Sequence, residues 1–454
     1  MSVAQPASDP FELLPAGISD AAITAAVADP ILDGRSWTRW WIALALTLPF
    51  VAATLAGLVG LFTAGIGLWG INSTIVWGYA IANYVWWIGI GNAGTLISSL
   101  LLLTRQGWRA SINRFAEAMT LFAVAIAGIF PIIHLGRPLY FYWLAPYPNT
   151  MSLWPQWRSA LIWDFWSILS YLLFSILFWY LGLMPDAAAL RDRARTRRTK
   201  QIFGVLALGW RGSSRQWRAH KVLQLTLAAL AVPLVCSVHS IVGLDFAASL
   251  MPGWQEPIFP PYFVVGAMYS GFAMVILLAT FLRWGLRLER FITPRHYASM
   301  ALIVLVSSLV MGASYATEWF TAWYGGKALD RGLILYQFTG YYGWMFWLLL
   351  LFNVVLPQIL WWPKARRSLP ALCVVSVGVL IGMWFERILI IWNTLGTTHL
   401  PATRHVFYPT LTDWTFLFGP LGLFAFGFLL FARVLPIMSM YEVRELAHQT
   451  RARP

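Results

Sequence analysis

The sequence predicts an all-α polytopic membrane protein with ten transmembrane helices, and three observations support this prediction. The chain of 454 residues is 59% hydrophobic and only 11% charged, whereas soluble domains carry about 25% charged residues. The apolar residues fall into ten long stretches, and most Lys and Arg residues lie in alternate connections between them. We therefore expect a chain that crosses the bilayer ten times, with both termini in the cytoplasm.

Each apolar stretch is long enough to cross a hydrocarbon core of about 30 Å at a helical rise of about 1.5 Å per residue. The stretches cover residues 40–62, 76–103, 113–133, 159–183, 221–244, 259–281, 297–319, 336–361, 370–393 and 412–435. Helices two to five and helices six to nine are expected to form two four-helix bundles, the second a weak repeat of the first. Helices one and ten flank them.

This interpretation divides the chain into five parts. The first bundle is expected to hold the functional site, and the second a possible proton path. The parts are a cytoplasmic arm (1–39), the first helix with its outer loop (40–75), the first bundle (76–258), the second bundle (259–410), and the last helix with a cytoplasmic tail (411–454).

The basic residues set the predicted orientation. Of the 32 Lys and Arg residues, 26 lie before the first helix, in alternate connections or in the tail, and the connection 184–221 alone holds ten. The positive-inside rule places these segments in the cytoplasm, and we interpret 184–221 as a solvated or lipid-bound loop. The net charge of +14 is explained by contact with anionic lipid head groups of the bilayer. Nucleic acid is not an expected partner.

Ionisable residues inside the spans mark candidate functional positions, because charge is costly to bury in a bilayer. His134 ends the third span, Asp164 lies near the start of the fourth, and the fifth ends with His239 and Asp245. The predicted orientation places these four residues at one depth near the outer face. Two imidazoles and two carboxylates at one level suit the oxidation of a quinol, whose two protons need nearby bases.

Other roles for these residues remain open. His134 and Asp245 could cap helix ends. A di-haem cytochrome would need four axial ligands at two depths, but only His134 and His239 are suitably placed, both at one level. Cys236 and Cys373 lie within predicted spans and cannot ligate an iron–sulfur cluster by themselves. We therefore expect that the chain itself binds no haem, iron–sulfur cluster or metal.

The second bundle carries a different polar set. Glu318 stands in place of His134, and no acid matches Asp164, so no quinone site is expected there. Glu386 and Arg387 are adjacent and do not share a helix face, so each is expected to have a partner on a neighbouring helix, with Glu318 and Tyr341 as candidates. A structural ion pair between Glu386 and Arg387 is kept as the alternative. A possible proton path would use Asp245, Glu318, Tyr341, Glu386, Arg387 and Glu117, with Tyr341 as the candidate tyrosine and Glu117 in the cytoplasmic half.

Several runs resemble the NrfD/PsrC family of haem-free, quinone-interacting membrane subunits. They are His134-Leu-Gly-Arg-Pro138, Trp163-Asp164-Phe165 and the Arg-rich connection 184–221. The ten-helix count and the run 436–445 are more similar to the ActC type found in bacterial Alternative Complex III. The resemblance covers residues 30–447 and implies a quinol:electron-acceptor oxidoreductase subunit of the bacterial cytoplasmic membrane. Its substrate would be menaquinol or ubiquinol, and it would be active only within a complex.

The resemblance also implies a site and partners. The quinol-contacting acid/base residues would be His134 and Asp164. The other quinol-site residues would be Gly136, Arg137, Tyr140, His239 and Asp245. Expected partners are an iron–sulfur protein on the outer face, a homologous NrfD-like membrane subunit and multihaem cytochrome c subunits. The protons are expected to leave on the outside, and pumping stays open.

Two alternative functions are kept. The first is the membrane anchor and quinone-binding subunit of a molybdenum-dependent polysulfide or oxyanion reductase. The second is a secondary transporter, which would show broken helices and polar residues at mid-membrane. The polar residues of this chain gather instead at the outer ends of its helices, which favours an electron-transfer subunit.

Overall fold

The computed structural model describes residues 13–15, 17–33, 38–145, 154–397, 402 and 404–451. Ten helical segments in these ranges are long and apolar enough to span a membrane, which confirms the predicted all-α class and the number of spans. They are α2 (Thr38–Ala64), α3 (Gly78–Leu103), α4 (Asn113–His134), α5 (Ala160–Arg193), α7 (Ser214–Ala247), α8 (Phe259–Leu286), α9 (Pro294–Gly325), Gly343–Trp361, α13 (Leu369–Gly396) and α14 (Leu411–Val434). The shorter helices are α1 (Asp20–Leu32), α6 (Arg197–Leu206), α10 (Ala328–Thr339), α11 (Gly343–Leu350), α12 (Pro363–Arg367) and α15 (Met440–Arg451).

Helix α3 lies at the centre of the packing. It contacts α4, α7, α8, α13 and α14, while α8 contacts α9 and α13, and α2 packs along α14. Small residues allow the close approach that membrane helices use. A Cβ atom on Gly94 would lie 1.9 Å from the Ala116 carbonyl oxygen, and one on Gly271 would lie 1.7 Å from Ala93 Cβ. Both faces of α3 are therefore covered by protein.

The two ends of the helix assembly differ in charge. We call the end that carries the Arg-rich connections the basic end and the opposite end the distal end. The basic end contains residues 104–112, 194–213, 287–293 and 362–368, and the distal end contains residues 65–77, 135–145, 154–159, 248–258 and 326–342. That the basic end faces the cytoplasm stays a prediction from the positive-inside rule.

Two predicted elements need correction. The connection 184–221 is largely helical, because α5 continues to Arg193, α6 follows, and α7 begins at Ser214. Basic residues are good helix formers, so the loss of hydrophobicity marked the membrane boundary and not the helix end. The eighth span was predicted over 336–361, but the chain breaks at Gly340 between α10 and α11 and then continues as a π turn and a 3₁₀ turn around Pro357.

Helix α15 covers the basic end through a buried glutamate. Glu442 Oε1 accepts hydrogen bonds from Arg109 Nη2 and Gln224 Nε2, both at 3.0 Å, and its Oε2 accepts one of 2.6 Å from Asn113 Nδ2. Burial alone would raise the pKa of Glu442, but the charge of Arg109 and the hydrogen bonds outweigh it and lower that pKa. Glu442 therefore holds α15 in place as a carboxylate.

We expect α15 to loosen from the basic end in acid. The folded pKa of Glu442 is depressed, so its contribution to stability is present above the unfolded pKa of about 4.3 and is lost as the pH falls through the folded pKa. Limited proteolysis of the tail should therefore accelerate below about pH 4.

The variant Glu442→Gln should show the faster cleavage already at pH 7. Glu445→Gln is the matched control, because it removes only a half-exposed 2.8 Å pair with Lys221, and such pairs contribute little. Identical cleavage of Glu442→Gln and wild type at pH 7 would contradict this role of Glu442.

Candidate quinol site at the distal end

Three helices bring a tyrosine and two carboxylic acids together at the distal end. Tyr84 lies on α3, Asp164 is the fifth residue of α5, and Asp245 is the third residue from the end of α7. The Tyr84 hydroxyl donates a hydrogen bond to Asp164 Oδ2. The carboxyl groups of Asp164 and Asp245 are close enough to interact electrostatically. We call these three residues the carboxyl cluster.

Each acid of the carboxyl cluster keeps one oxygen without a protein donor. Asp164 Oδ1 and Asp245 Oδ1 are buried and accept no hydrogen bond from the described part of the chain. An unsatisfied buried acceptor costs about 1–3 kcal/mol, and such atoms often mark a position that a ligand or water completes. The cluster can therefore receive a ligand that carries hydroxyl groups.

His134 reaches the distal end from α4, but its hydrogen bond is not to the acids. Its Nε2 donates to the Val76 carbonyl oxygen at 2.9 Å, just before α3 begins. Because a carbonyl only accepts, Nε2 carries the proton, and Nδ1 of the neutral ring is left as an acceptor. No hydrogen bond joins His134 to Asp164 among the described residues. The hydrogen bond to Val76 thus fixes the ring at the distal end and leaves its basic Nδ1 unused.

His239 lies deeper than the sequence predicts. It precedes Asp245 by six residues on α7, which corresponds to about 9 Å along the helix. Its Nδ1 accepts a hydrogen bond from the Asn92 side-chain amide of α3. A Cβ atom on Gly89 would lie 3.9 Å from His239 Nε2 and 3.6 Å from Ser270 Oγ. His239 therefore belongs to a second, inner level.

The other predicted quinol-site residues lie on the loop that follows α4. Gly136 and Arg137 are exposed, and Tyr140 is 40% exposed. The Tyr140 ring packs against Trp143, with ring centroids 5.0 Å apart. Among the described residues, none of these three makes a hydrogen bond to Asp164.

A polar stripe runs along α3 from Asn92 toward the basic end. Asn92, Thr95 and Ser98 follow at a spacing of three residues, which places them on one helix face. Ser98 Oγ donates a hydrogen bond of 2.5 Å to Glu117 Oε1. Glu117 was predicted from the sequence but the stripe was not, although its regular spacing was visible. The buried hydroxyl groups packed beside the stripe belong to Thr120, Tyr171 and Ser175.

The adjacent charges Glu386 and Arg387 lie on α13. Glu386 Oε2 accepts a hydrogen bond from the Tyr315 hydroxyl on α9, and Glu386 Oε1 lies 2.7 Å from Arg387 Nη1. The alternative of a buried ion pair between the two is therefore found, and Glu386 also has a partner on a neighbouring helix, although this partner is Tyr315 and neither of the two candidates. Of the two partners predicted from the sequence, Glu318 lies near Glu386 but carries a like charge. The other, Tyr341, is 58% exposed.

No metal site is built from the described residues. They contain no group of three or more His, Cys, Asp or Glu side chains that could hold a metal ion. The imidazole of His220 bonds to the Leu181 carbonyl oxygen at 3.0 Å, and that of His296 takes part in the N-terminal capping box of α9. That the chain itself binds no haem or iron–sulfur cluster stays a prediction.

Comparison with known proteins places the chain among membrane subunits of reductases. Residues 67–399 match the family described as polysulphide reductase, NrfD. The chain is 24% identical over 232 residues to a protein of Halobacterium salinarum named as a membrane subunit of dimethyl sulfoxide reductase, an alignment covering 48% of this chain and 49% of that protein. It is 22% identical over 432 residues to a selenate reductase subunit of Mesobacillus selenatarsenatis, covering 90% and 96%. The chain thus spans about half the length of the first relative and nearly all of the second.

Proposed function

Because the chain belongs to the NrfD family of polysulphide reductase membrane proteins, we propose that it is the quinol-oxidising membrane subunit of an oxidoreductase complex. The relatives named as subunits of dimethyl sulfoxide and selenate reductases favour a partner that reduces an oxide or oxyanion. An assembly of the Alternative Complex III type is the second candidate. It is favoured by the ten spans and by the similarity of the run 436–445 to the ActC type.

The carboxyl cluster carries the proposal. Oxidising a quinol to a quinone removes two protons and two electrons, and each hydroxyl needs a base within hydrogen-bond reach. Asp164 Oδ1 and Asp245 Oδ1 are buried acceptors without a donor in the described structure, which is the arrangement that a hydroxyl-bearing substrate would complete. Tyr84 occupies the other oxygen of Asp164 and so orients that carboxylate. Asp164 would take one of the two protons directly, and Asp245 would receive the other.

The released protons would leave at the distal end. Tyr84 and Asn92 are eight residues apart on α3, about 12 Å along the helix, and the buried Ile88 lies between them. No hydrogen bond among the described residues joins the carboxyl cluster to the polar stripe that ends at Glu117. Asp245 is close to the end of α7, so the shorter way to water leads outward. We therefore favour outward release over transfer across the membrane.

The two electrons would pass to an iron–sulfur protein docked on the distal end. Exposed aromatic side chains lie in the distal-end loop that follows α4: Trp143 is 49%, Trp154 65% and Trp157 47% exposed. In an assembly of the Alternative Complex III type, a second NrfD-like subunit and multihaem cytochrome c subunits would complete the path. A purification that identifies the co-assembled proteins would decide between the two kinds of complex.

We expect His134→Ala to lower quinol-dependent turnover of the assembled complex by at least about tenfold, which is less than the about 10²–10⁴-fold that a positioned general acid or base contributes. The substitution removes the fixed ring and its Nδ1 acceptor. Turnover would be measured with a reduced menaquinone analogue and the physiological acceptor. His448→Ala is the control, because His448 lies at the basic end, where it pairs with Asp20 and is more than half exposed. Unchanged turnover in His134→Ala would remove this residue from the site.

A further inference from the structure

A cavity lies on the opposite side of α3 from the carboxyl cluster. It has a volume of about 980 Å³, opens at the protein surface, and is lined by α3, α8, α11, α13, α14 and the segment Phe407–Pro409. Tyr79 and Trp86 line it from α3. Tyr84 points elsewhere, because at about 100° per residue it is rotated by about 140° from Tyr79 and about 160° from Trp86. The cavity and the carboxyl cluster are thus separated by the α3 backbone.

The cavity has an aromatic end and an aliphatic end. Its distal end is lined by aromatic residues near the start of α3 and the end of α13, whereas the part toward mid-membrane is aliphatic. Tyr79 is the second residue of α3, and Trp392 is the fifth from the end of α13. The aliphatic part is formed by Met274, Leu277, Val377, Leu380, Ile381 and Leu421.

One donor at the distal end has no acceptor. Trp392 is 3% exposed, and its Nε1 makes no hydrogen bond within the described residues. Two other indoles of the lining are satisfied by protein: Trp86 donates to the Leu380 carbonyl at 3.0 Å, and Trp384 donates to Asn83 Oδ1 at 2.8 Å. A buried N–H group is rarely left unpaired. Trp392 lines the cavity, so its unsatisfied indole N–H is the candidate donor to a ligand there.

We propose that this cavity binds one lipid molecule, whose apolar chain fills the aliphatic part and whose carbonyl oxygen accepts the hydrogen bond from Trp392 Nε1. Pockets of this size and apolar lining, with a few placed polar groups, are typical of small-molecule sites. The bilayer supplies two molecules with this chemistry: a phospholipid, through an ester carbonyl and an acyl chain, and an isoprenoid quinone, through a ring carbonyl and its tail. The site is independent of turnover at the carboxyl cluster.

Native mass spectrometry of the full chain tests this proposal. The protein would be placed in nanodiscs of phosphatidylglycerol that contain menaquinone-4 and then released into detergent. We expect wild type to keep one lipid adduct per chain. Leu380→Trp, which fills the cavity, should lose it. Val374→Trp is the matched control, because Val374 lies on the same helix, is 61% exposed and does not line the cavity.

Trp392→Phe tests the donor with little change of shape. We expect adduct retention to fall about tenfold, the factor typical of losing one hydrogen bond. An adduct with the mass of phosphatidylglycerol would show that the bound lipid is a phospholipid. An adduct with the mass of menaquinone-4 would show that it is an isoprenoid quinone. Either adduct supports the proposal if Leu380→Trp loses it. Absence of an adduct in wild type, equal retention in Leu380→Trp and Val374→Trp, or full retention in Trp392→Phe would overturn it.

Discussion

Asp164→Asn is expected to lower quinol-dependent turnover by at least about 100-fold, because a positioned general base contributes about 10²–10⁴-fold. Asparagine keeps the size of the side chain, and its carbonyl oxygen can still accept the hydrogen bond from Tyr84. Its amide nitrogen, however, cannot take a proton at the position of the unpaired Oδ1. Turnover at saturating quinol, measured on a complex that retains all of its proteins in wild-type proportions, is the deciding quantity.

Two further variants separate chemistry from positioning at Asp164. Tyr84→Phe removes the hydrogen bond to Asp164 Oδ2 but leaves both carboxyl groups, so we expect a smaller loss of turnover, about tenfold. Asp192→Asn is the control, since Asp192 lies near the end of the same helix with a side chain 65% exposed, and it should behave as wild type. Wild-type turnover in Asp164→Asn would exclude a proton-accepting role for this residue.

The membrane spans could be predicted because the bilayer demands about 20 consecutive apolar residues per helix. Hydrophobicity reports where the apolar layer begins and ends, but not where the backbone stops being helical. That is why α5 extends to Arg193, well past the predicted boundary. It is also why the break at Gly340 was missed, since the apolar residues continue across it.

The site could be predicted only in part. Asp164 and Asp245 come together because they occupy adjoining ends of α5 and α7, which pack against each other. Their predicted common depth in the membrane was enough to suggest this proximity. Tyr84 was missed because a tyrosine among aromatic residues on α3 carries no signal until the rotation of that helix is known. The depth of His239 was misjudged because it was grouped with Asp245 at the end of the fifth span, although the six residues between them correspond to about 9 Å of helix.

The basic end contains the buried cation of Arg114, which joins the spans α4 and α5. Arg114 Nη2 donates to the Gly182 carbonyl at 2.6 Å and lies 3.0 Å from Asp186 Oδ2, while Nη1 donates to the Trp179 carbonyl at 3.1 Å. The absence of a side chain at Gly182 makes room, because a Cβ atom there would lie 2.8 Å from Arg114 Nη1. Asp186 Oδ1 also accepts a 3.1 Å hydrogen bond from the backbone of Met440. This network thus ties α4, α5 and α15 together.

Replacing Arg114 by Met is expected to reduce the free energy of unfolding by about 3–5 kcal/mol, because it leaves the Asp186 carboxylate buried without its cation. Denaturant or thermal unfolding of the detergent-solubilised protein would measure the loss. The double variant Arg114→Met, Asp186→Asn should recover part of it, since contacting pairs couple by about 0.5–3 kcal/mol. Lys221→Met, which removes only a half-exposed pair with Glu445, should change stability by less than about 1 kcal/mol. Strictly additive losses in the double variant would show that Arg114 and Asp186 do not stabilise each other.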